Sequence, residues 1–232
     1  MNSSEGEELV REANEVSPEK LFSECCDIQS KASSTLGTDL ELHLYSLKTL
    51  PPALQQWAFN LVKENLYDEY VAAKDTGWSD EDKQREMTEP NARYIVVNTM
   101  GGDARPVGFV YFQFTMEESC DDKDEVKNDE DEDEGSEESG EDVQIPVVYC
   151  YELQISASYQ HCGLGTHLMS LIEELGRRYH MLKCMLTAFK SNTAALNFYR
   201  KRGYEIDGIS PSNHLPPRRA ARISYEIYSK VL

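Results

Sequence analysis

Apolar residues alternate with polar ones from Glu41 through Leu47, the period-two pattern of a half-buried strand. Pro51 and Pro52 follow, suited to the first turn of a helix. Leu54, Trp57, Ala58, Leu61 and Leu66 then recur on one helical face, which predicts a helix out to about Tyr70. Ser79 before Asp80, Glu81 and Asp82 predicts a second helix, with acids at its positive end. Asn91 to Asn98 and Pro106 to Met116 read as two strands, joined by a turn at Gly101-Gly102-Asp103. A strand is expected from Val147 to Ile155. A helix from Leu164 carries Leu168, Leu171, Ile172, Leu175 and Tyr179 on one stripe. Cys184 to Phe189 reads as a buried strand. Asn192 or Thr193 caps a helix that runs through Phe198 and Tyr199 and stops at Gly203. Tyr204–Asp207 and Ile223–Lys230 close the pattern as strands, around a Pro- and Arg-rich loop from Gly208 to Arg222.

Two stretches lack such a pattern. Residues 1–40 are polar, acidic and Ser-rich, and are expected to be mobile apart from a short helix around Pro18–Cys25. The run from Glu117 to Asp142 has almost no apolar residue and should be a disordered insertion in a sheet loop, over about 118–143. One domain over 41–232 remains, long enough to bury a core.

Charge follows the same division. The chain carries a formal charge of −19, but the window from Glu117 to Asp142 holds 16 acids and only 2 lysines. From Val143 onward there are 11 Lys and Arg against 6 acids. The basic third would suit a polyanionic ligand, and it contains a loop that could hold one. Gln160-His161-Cys162-Gly163-Leu164-Gly165 lies between a strand and a helix. Glycines at a helix start let backbone N–H groups meet phosphate, where the helix dipole adds positive charge. No Gly-Lys-Ser/Thr follows, so this is not a Walker loop. The cysteines at 25, 26, 120, 150, 162 and 184 show no metal-ligand spacing. Free thiols and a reducing compartment are therefore expected, with no metal. The apolar runs are far short of a membrane span.

The loop fits the pyrophosphate motif of the Gcn5-related acetyltransferases, Gln/Arg-x-x-Gly-x-Gly/Ala, and NTAALNFYRKRGYEID resembles that family's second motif. WAFNLVKENLYDEY, GWSDEDKQREM, YCYELQI, GLGTHLM, MLTAFKSN and ISYEI further resemble, in order, the N-alpha-acetyltransferase D family, also called N-alpha-acetyltransferase 40. The resemblance covers roughly residues 41–230. It implies a mixed α/β fold with a central, mostly antiparallel sheet flanked by helices, its central parallel strands splayed apart. It implies acetyl transfer from acetyl-CoA to the N-terminal amine of histones beginning Ser-Gly-Arg-Gly, in a direct ternary complex, by a monomer of the nucleus and cytoplasm that binds neither nucleic acid nor membrane directly. The chain departs from the family in its acidic N-terminal segment, its long acidic insertion, Thr115 where an acid is usual and Thr76 where an aromatic is usual.

Site residues follow from the resemblance. Glu152 matches the family's proposed base. A peptide α-amine has an ordinary pKa of about 7.7–8.0, so one carboxylate acting through water suffices to neutralise it. Tyr151 stands beside Glu152, and Tyr199 is where relatives place a proton donor for the leaving thiolate. By alternation Glu152 should share a face with Val148, Cys150 and Gln154, opposite Tyr149, Tyr151 and Leu153. Cofactor contacts are expected from Leu153, Ile155, Gln160, His161, Cys162, Gly163, Leu164, Gly165, Thr166, Asn192 and Tyr199. Acceptor contacts are expected from Tyr70, Trp78, Glu117, Tyr149, Tyr151 and Tyr225. Each also has a plainer reading: a satisfied strand glutamate, packing aromatics, a Gly-rich turn, the start of an acidic run. Two rival functions stand beside the first, namely a same-fold acetyltransferase for lysine or small amines and a non-catalytic acidic histone binder.

Overall fold

The alternation from Glu41 forms β1 (Leu40–Ser46), an edge strand antiparallel to β2 (Arg93–Thr99) in a computed structural model that describes residues 3–24, 40–120 and 143–232. Between these strands lie α3 (Pro52–Ala72), with proline at its first helical position, and α4 (Asp80–Glu86). The Ser79 hydroxyl caps α4 by accepting the Asp82 N–H at 3.2 Å. β3 (Pro106–Ser119) and β4 (Val143–Ile155) form a long antiparallel hairpin. A single 3₁₀ turn (Ala157–Tyr159) leads into α5 (Leu164–Arg178), β5 (Lys183–Phe189) and α6 (Thr193–Lys201). The Asn192 side chain caps α6 through the Ala195 N–H at 3.0 Å. β6 (Glu205–Ile206), the one-turn helices α7 (Pro211–His214) and α8 (Pro217–Ala220), and β7 (Tyr225–Val231) complete the chain. The loop expected over Gly208–Arg222 thus contains two helical turns.

The sheet order is β1-β2-β3-β4-β5-β7-β6, and β4–β5 is its parallel pair. Alternate residues of each strand feed two cores. Tyr94, Val96, Phe109 and Tyr111 meet Ala58, Phe59, Leu61 and Val62 of α3. Ile95, Val97, Val110 and Phe112 meet Leu168, Leu171, Ile172 and Leu175 of α5 on the opposite face, together with Leu196 and Tyr199 of α6. The expected mixed, mostly antiparallel sheet between helical layers is therefore what forms.

The N-terminal segment differs in part from expectation. The short helix expected around Pro18 forms as α2 (Pro18–Glu24), but the residues before it are not a mobile tail: Ser3–Glu15 is a packed helix, α1. Leu9, Val10, Ala13 and Val16 form a short apolar stripe amid acids, and Leu21 and Phe22 extend it onto the α5 side of the sheet. Buried Arg93 locks the end of α1. Its Nη2 donates to the carbonyls of Ala13 (3.2 Å), Asn14 (2.7 Å) and Val16 (2.9 Å), groups that a helix end leaves open. The Asn14 amide donates to the Phe114 carbonyl at 2.9 Å. Gly6 permits close approach, since a Cβ there would lie 2.9 Å from Met116 Cε. The strands also run further than expected: Glu117, Glu118 and Ser119 pair with Ile145, Gln144 and Val143. The disorder expected for the rest of the insertion falls outside the described residues, as do residues 25–39.

Arg93→Ala removes a buried cation and leaves three carbonyls without their donor. The expected loss is roughly 1–3 kcal/mol, from the carbonyls left unpaired, read as a lower urea midpoint at unchanged slope. An unchanged midpoint would show that the N-terminal helices are held by apolar contact alone.

Candidate active site

The β3–β4 ladder contains one irregularity. Tyr111 pairs with Glu152 and Phe112 pairs with Cys150, so Tyr151 is an extra residue without a ladder partner. This bulge reverses the alternation of β4. Val148 and Cys150 point into the core under α5, but so do Leu153 and Ile155. Glu152 and Gln154 instead face α3 and α4, on the same side as Tyr149 and Tyr151. The strict alternation expected for Glu152 is thereby corrected, and the bulge gathers the carboxylate and both tyrosines on one wall.

The parallel ladder to β5 covers Val147–Cys150 against Lys183–Leu186 and stops there. Beyond it, β4 from Tyr151 to Ile155 and β5 from Thr187 to Phe189 line a cleft of about 1140 Å³. At one end lies the start of α5. Gly163 is left-handed (φ 91°) and provides no side-chain cap. The first helical bond runs from the His167 N–H to the Gly163 carbonyl at 3.0 Å, so the N–H groups of Leu164, Gly165 and Thr166 precede it. Gln160, His161, Gly163, Gly165, Thr166, Asn192 and Lys201 line the cleft. Gln160 also donates to the Ile155 carbonyl at 3.0 Å. A Cβ at Gly165 would sit 3.4 Å from both Ile155 Cδ1 and Phe198 Cζ, so no larger side chain fits without displacing them. The Leu164 side chain is buried in the core, and the exposed Cys162 thiol donates to the Tyr159 carbonyl at 2.9 Å.

Mid-cleft, Glu152 is 4 % exposed and Lys83 is 6 % exposed. Lys83 Nζ donates to Glu152 Oε1 at 3.0 Å and to Glu86 Oε1 and Oε2 at 2.8 and 3.0 Å. Gln154 Nε2 donates to Glu152 Oε2 at 2.7 Å, and Gln154 Oε1 accepts the Asn65 amide at 2.9 Å. Both Glu152 oxygens are thus engaged. Burial works against the Lys83 ammonium, but Glu152 and Glu86 outweigh it and hold its pKa above the ordinary value. Burial, aided by the Glu152 charge and opposed by Lys83, raises that of Glu86. Neither Lys83 nor Glu86 was legible as a site residue. Within DEDKQRE a lysine reads as part of a solvated face, and only the packing of α4 over the bulge turns it inward.

The far end is aromatic. The hydroxyls of Tyr149 and Thr187 are 2.6 Å apart. Tyr151 stacks on Tyr111 at 5.0 Å, and burial pushes its phenol up to about 12. Tyr70 lies beneath the Lys83 ammonium, 5.0 Å from ring centroid to Nζ, and packs edge-on to Phe189. Tyr225 and Glu117 line the same cleft, and burial followed by the neighbouring Glu118 raises the Glu117 pKa. Tyr199 is buried, reaches the cleft, and has its pKa held well up by burial. Trp78 is set apart. It packs against Tyr70, Phe59 and Tyr67, gives its indole N–H to Asp80, and does not line the cleft.

This geometry agrees with comparison to known proteins. Residues 62–204, more than half of the chain, match the model of the acetyltransferase (GNAT) family. The chain belongs to that family. The uncharacterised protein YdhI of Bacillus subtilis is 28% identical over 78 residues, 34% of this chain and 47% of that protein, so the match spans about half of that relative. An acetyltransferase from Streptococcus agalactiae shares the fold at a TM-score of 0.52 and 13% identity, over 84% of this chain and 99% of its own. A GNAT-family acetyltransferase from Staphylococcus aureus does so at 0.50 and 10%, over 83% and 99%.

Lys83→Met leaves the buried Glu152 and the half-buried Glu86 carboxylates without the ammonium that joins them. A carboxyl whose folded pKa lies above its unfolded value contributes stability at low pH and loses it as pH rises through the folded pKa. The variant is therefore expected to lose about 3 kcal/mol near pH 8 and clearly less near pH 5, where one carboxyl is protonated. Denaturant melts at both pH values check this, and equal losses would contradict it.

Proposed function

We propose that this chain is a protein N-alpha-acetyltransferase of the N-alpha-acetyltransferase D type. It would transfer acetyl from acetyl-CoA to the terminal amine of histones beginning Ser-Gly-Arg-Gly. The observation that carries the reading is the charge of the acceptor end. Glu152, Glu86 and Glu117 face the cleft against the ammonium of Lys83, between Tyr149, Tyr151, Tyr70 and Tyr225. Such a wall favours a terminal amine and an arginine close behind it, since a carboxylate grips guanidinium in paired bonds. Histone tails as partners would place the protein in nucleus and cytoplasm, acting as a monomer. Among the described residues no helix is long and apolar enough to cross a membrane.

Acetyl-CoA fits the other end as co-substrate, and its thioester supplies the acetyl group. The amides of Leu164, Gly165 and Thr166 would hold the pyrophosphate, with Lys201 adding positive charge. The edge of β4 from Tyr151 to Ile155 would orient the pantetheine arm. Glu152 draws a proton from the amine through water, and its bonds to Lys83 and Gln154 fix its orientation. Tyr199, kept protonated by burial, donates to the departing thiolate. A lysine or small amine would meet the same carboxylates, so acceptor choice is decided by the assay below.

Mass spectrometry of a Ser-Gly-Arg-Gly peptide is expected to show one acetyl group on the α-amine and none on a peptide whose N-terminus is blocked. Acetylation of internal lysines at comparable rates would overturn the acceptor assignment, and failure to turn over any amine would favour a non-catalytic binder. Glu152→Gln should lower kcat on the order of 10²-fold at near-native acetyl-CoA affinity. A near-native rate between pH 6 and 9 would make Glu152 structural.

Acetyl-CoA should also raise the melting temperature, because it binds only the folded chain. Gly165→Trp is expected to abolish that rise by filling the gap before Ile155 and Phe198. A full shift in the variant would put the nucleotide elsewhere.

A further inference from the structure

A second cavity of about 400 Å³ adjoins the cleft, lined by Asp82, Arg85, Glu86, Glu89, Gln113 and Tyr151. Glu86 and Tyr151 line both cavities. Glu86 therefore stands in the partition between them, with its side chain 37 % exposed. Glu152 is the reverse case. It is nearly sealed, with one oxygen on Lys83 and the other on Gln154. With acceptor and acetyl-CoA in the cleft, the side of Glu152 that lines it is covered, yet every turnover delivers a proton there. Lys83 Nζ touches both carboxylates at once, 3.0 Å from Glu152 and 2.8 Å from Glu86.

We propose that the proton lost by the acceptor amine leaves the cleft along Glu152, Lys83 and Glu86 and enters solvent in the second cavity. This rests on the reading that an amine is acetylated in the cleft. In the first step an N–H bond of the protonated amine breaks, its electron pair stays on nitrogen, and the proton passes through water to Glu152. That pair then forms the bond to the acyl carbon as the C–S bond breaks; Tyr199 gives its proton to the departing thiolate and is restored, through water, by the second proton that the nitrogen loses. Lys83 takes up that proton as one of its own N–H protons passes to Glu86, so it is an ammonium before and after. The Glu86 carboxyl then releases the proton to water in the second cavity, and no oxidant or reductant is involved. Lys83 and Glu86 act through Glu152 and position its proton traffic. The groups facing Glu86 are consistent with this role. They are Lys83, Asp82, Arg85 and Glu89 along its own segment, Glu152 and Tyr151 of β4, Tyr111 of β3, Tyr94 of β2 and Tyr70 of α3. Lys83 is the one ammonium among them, and the raised pKa of Glu86 lets it hold the proton before release.

Glu86→Gln keeps a hydrogen-bond acceptor for Lys83 and removes the exit. With the full-length protein, kcat is expected to fall about 10-fold or more at near-native KM for both substrates. The acid limb of the pH profile should change, and raising the concentration of a small imidazole buffer should recover part of the rate. A purely structural role would lower the melting temperature and would not respond to buffer. Native kcat and pH profile in the variant would overturn the relay. Turnover of the free-amine peptide by the native protein is measured first. If the native protein acetylates only another amine, the acceptor assignment fails, and the relay is measured with that amine. A readout independent of turnover uses ¹³C carboxyl shifts in the native protein. The Glu86 carboxyl is expected to titrate above the ordinary glutamate range. Titration of Glu86 within the ordinary range would overturn the proposal.

Discussion

The cleft depends on one extra residue in β4. Without the bulge at Tyr151, the period-two rule would turn Glu152 into the apolar core beneath α5, beside Cys150. There an ionised carboxylate would have no partner, at a cost of several kcal/mol. With the bulge, Glu152 faces α4 and finds an ammonium 3.0 Å away. The same irregularity leaves Leu153 and Ile155 on the side of α5, where Ile155 packs close to Gly165. One backbone insertion thus sets both the polar wall and the floor beside the helix start. It also lies next to the point where β4 and β5 stop pairing, so the opening of the sheet and the turning of the carboxylate coincide.

Most elements were legible because their periodicity is strong. The stripe Leu168, Leu171, Ile172, Leu175 and the Asn192 and Ser79 caps needed no tertiary knowledge. The bulge was not legible, because it is a property of two strands together and Tyr151 fits either side of a sheet. Lys83 and Glu86 were missed for a related reason. On α4 they are spaced as a helix-surface ion pair, but Lys83 is buried, and the third member of the cluster comes from a strand far along the chain. Helix α1 was hidden by composition, whereas α2 was expected. Leu9, Val10 and Ala13 are few among acids, and their anchor, Arg93, is itself a charged residue inside a strand.

A second charged centre holds the C-terminal half together and contrasts with the first. Buried Glu173 of α5 accepts from Arg202 (2.7 Å), Tyr204 (3.1 Å) and Lys230 (2.9 Å), joining α5, the end of α6 and β7. Hydrogen bonds and cations hold its pKa below the ordinary value, although burial alone would raise it. Here cations exceed carboxylates. At the Glu152 end of the cleft the balance is reversed, with Lys83 against Glu152, Glu86 and Glu117. A fully compensated buried cluster ties elements together. An undercompensated one keeps capacity for a further cation, which is what a site for an amine requires.

The two ends of the cleft are therefore electrostatically opposed, and the division follows the chain apart from Glu152 and Lys83. Helix-terminal amides and Lys201 come from the basic part after Val143, and Glu86 and Glu117 come from the part before it. Glu117 is also the first residue of the acidic run, and its pairing with Ile145 fixes it on the sheet at the acceptor end. At about 0.15 M ionic strength screening limits such a field to about 8 Å. Only charges anchored near the cleft can act on a bound group, whereas the remainder of the run can influence encounter with a basic partner. On the proposed function, the short paired segment at Glu117 would act on acceptor binding, and the charge that follows it on the association rate.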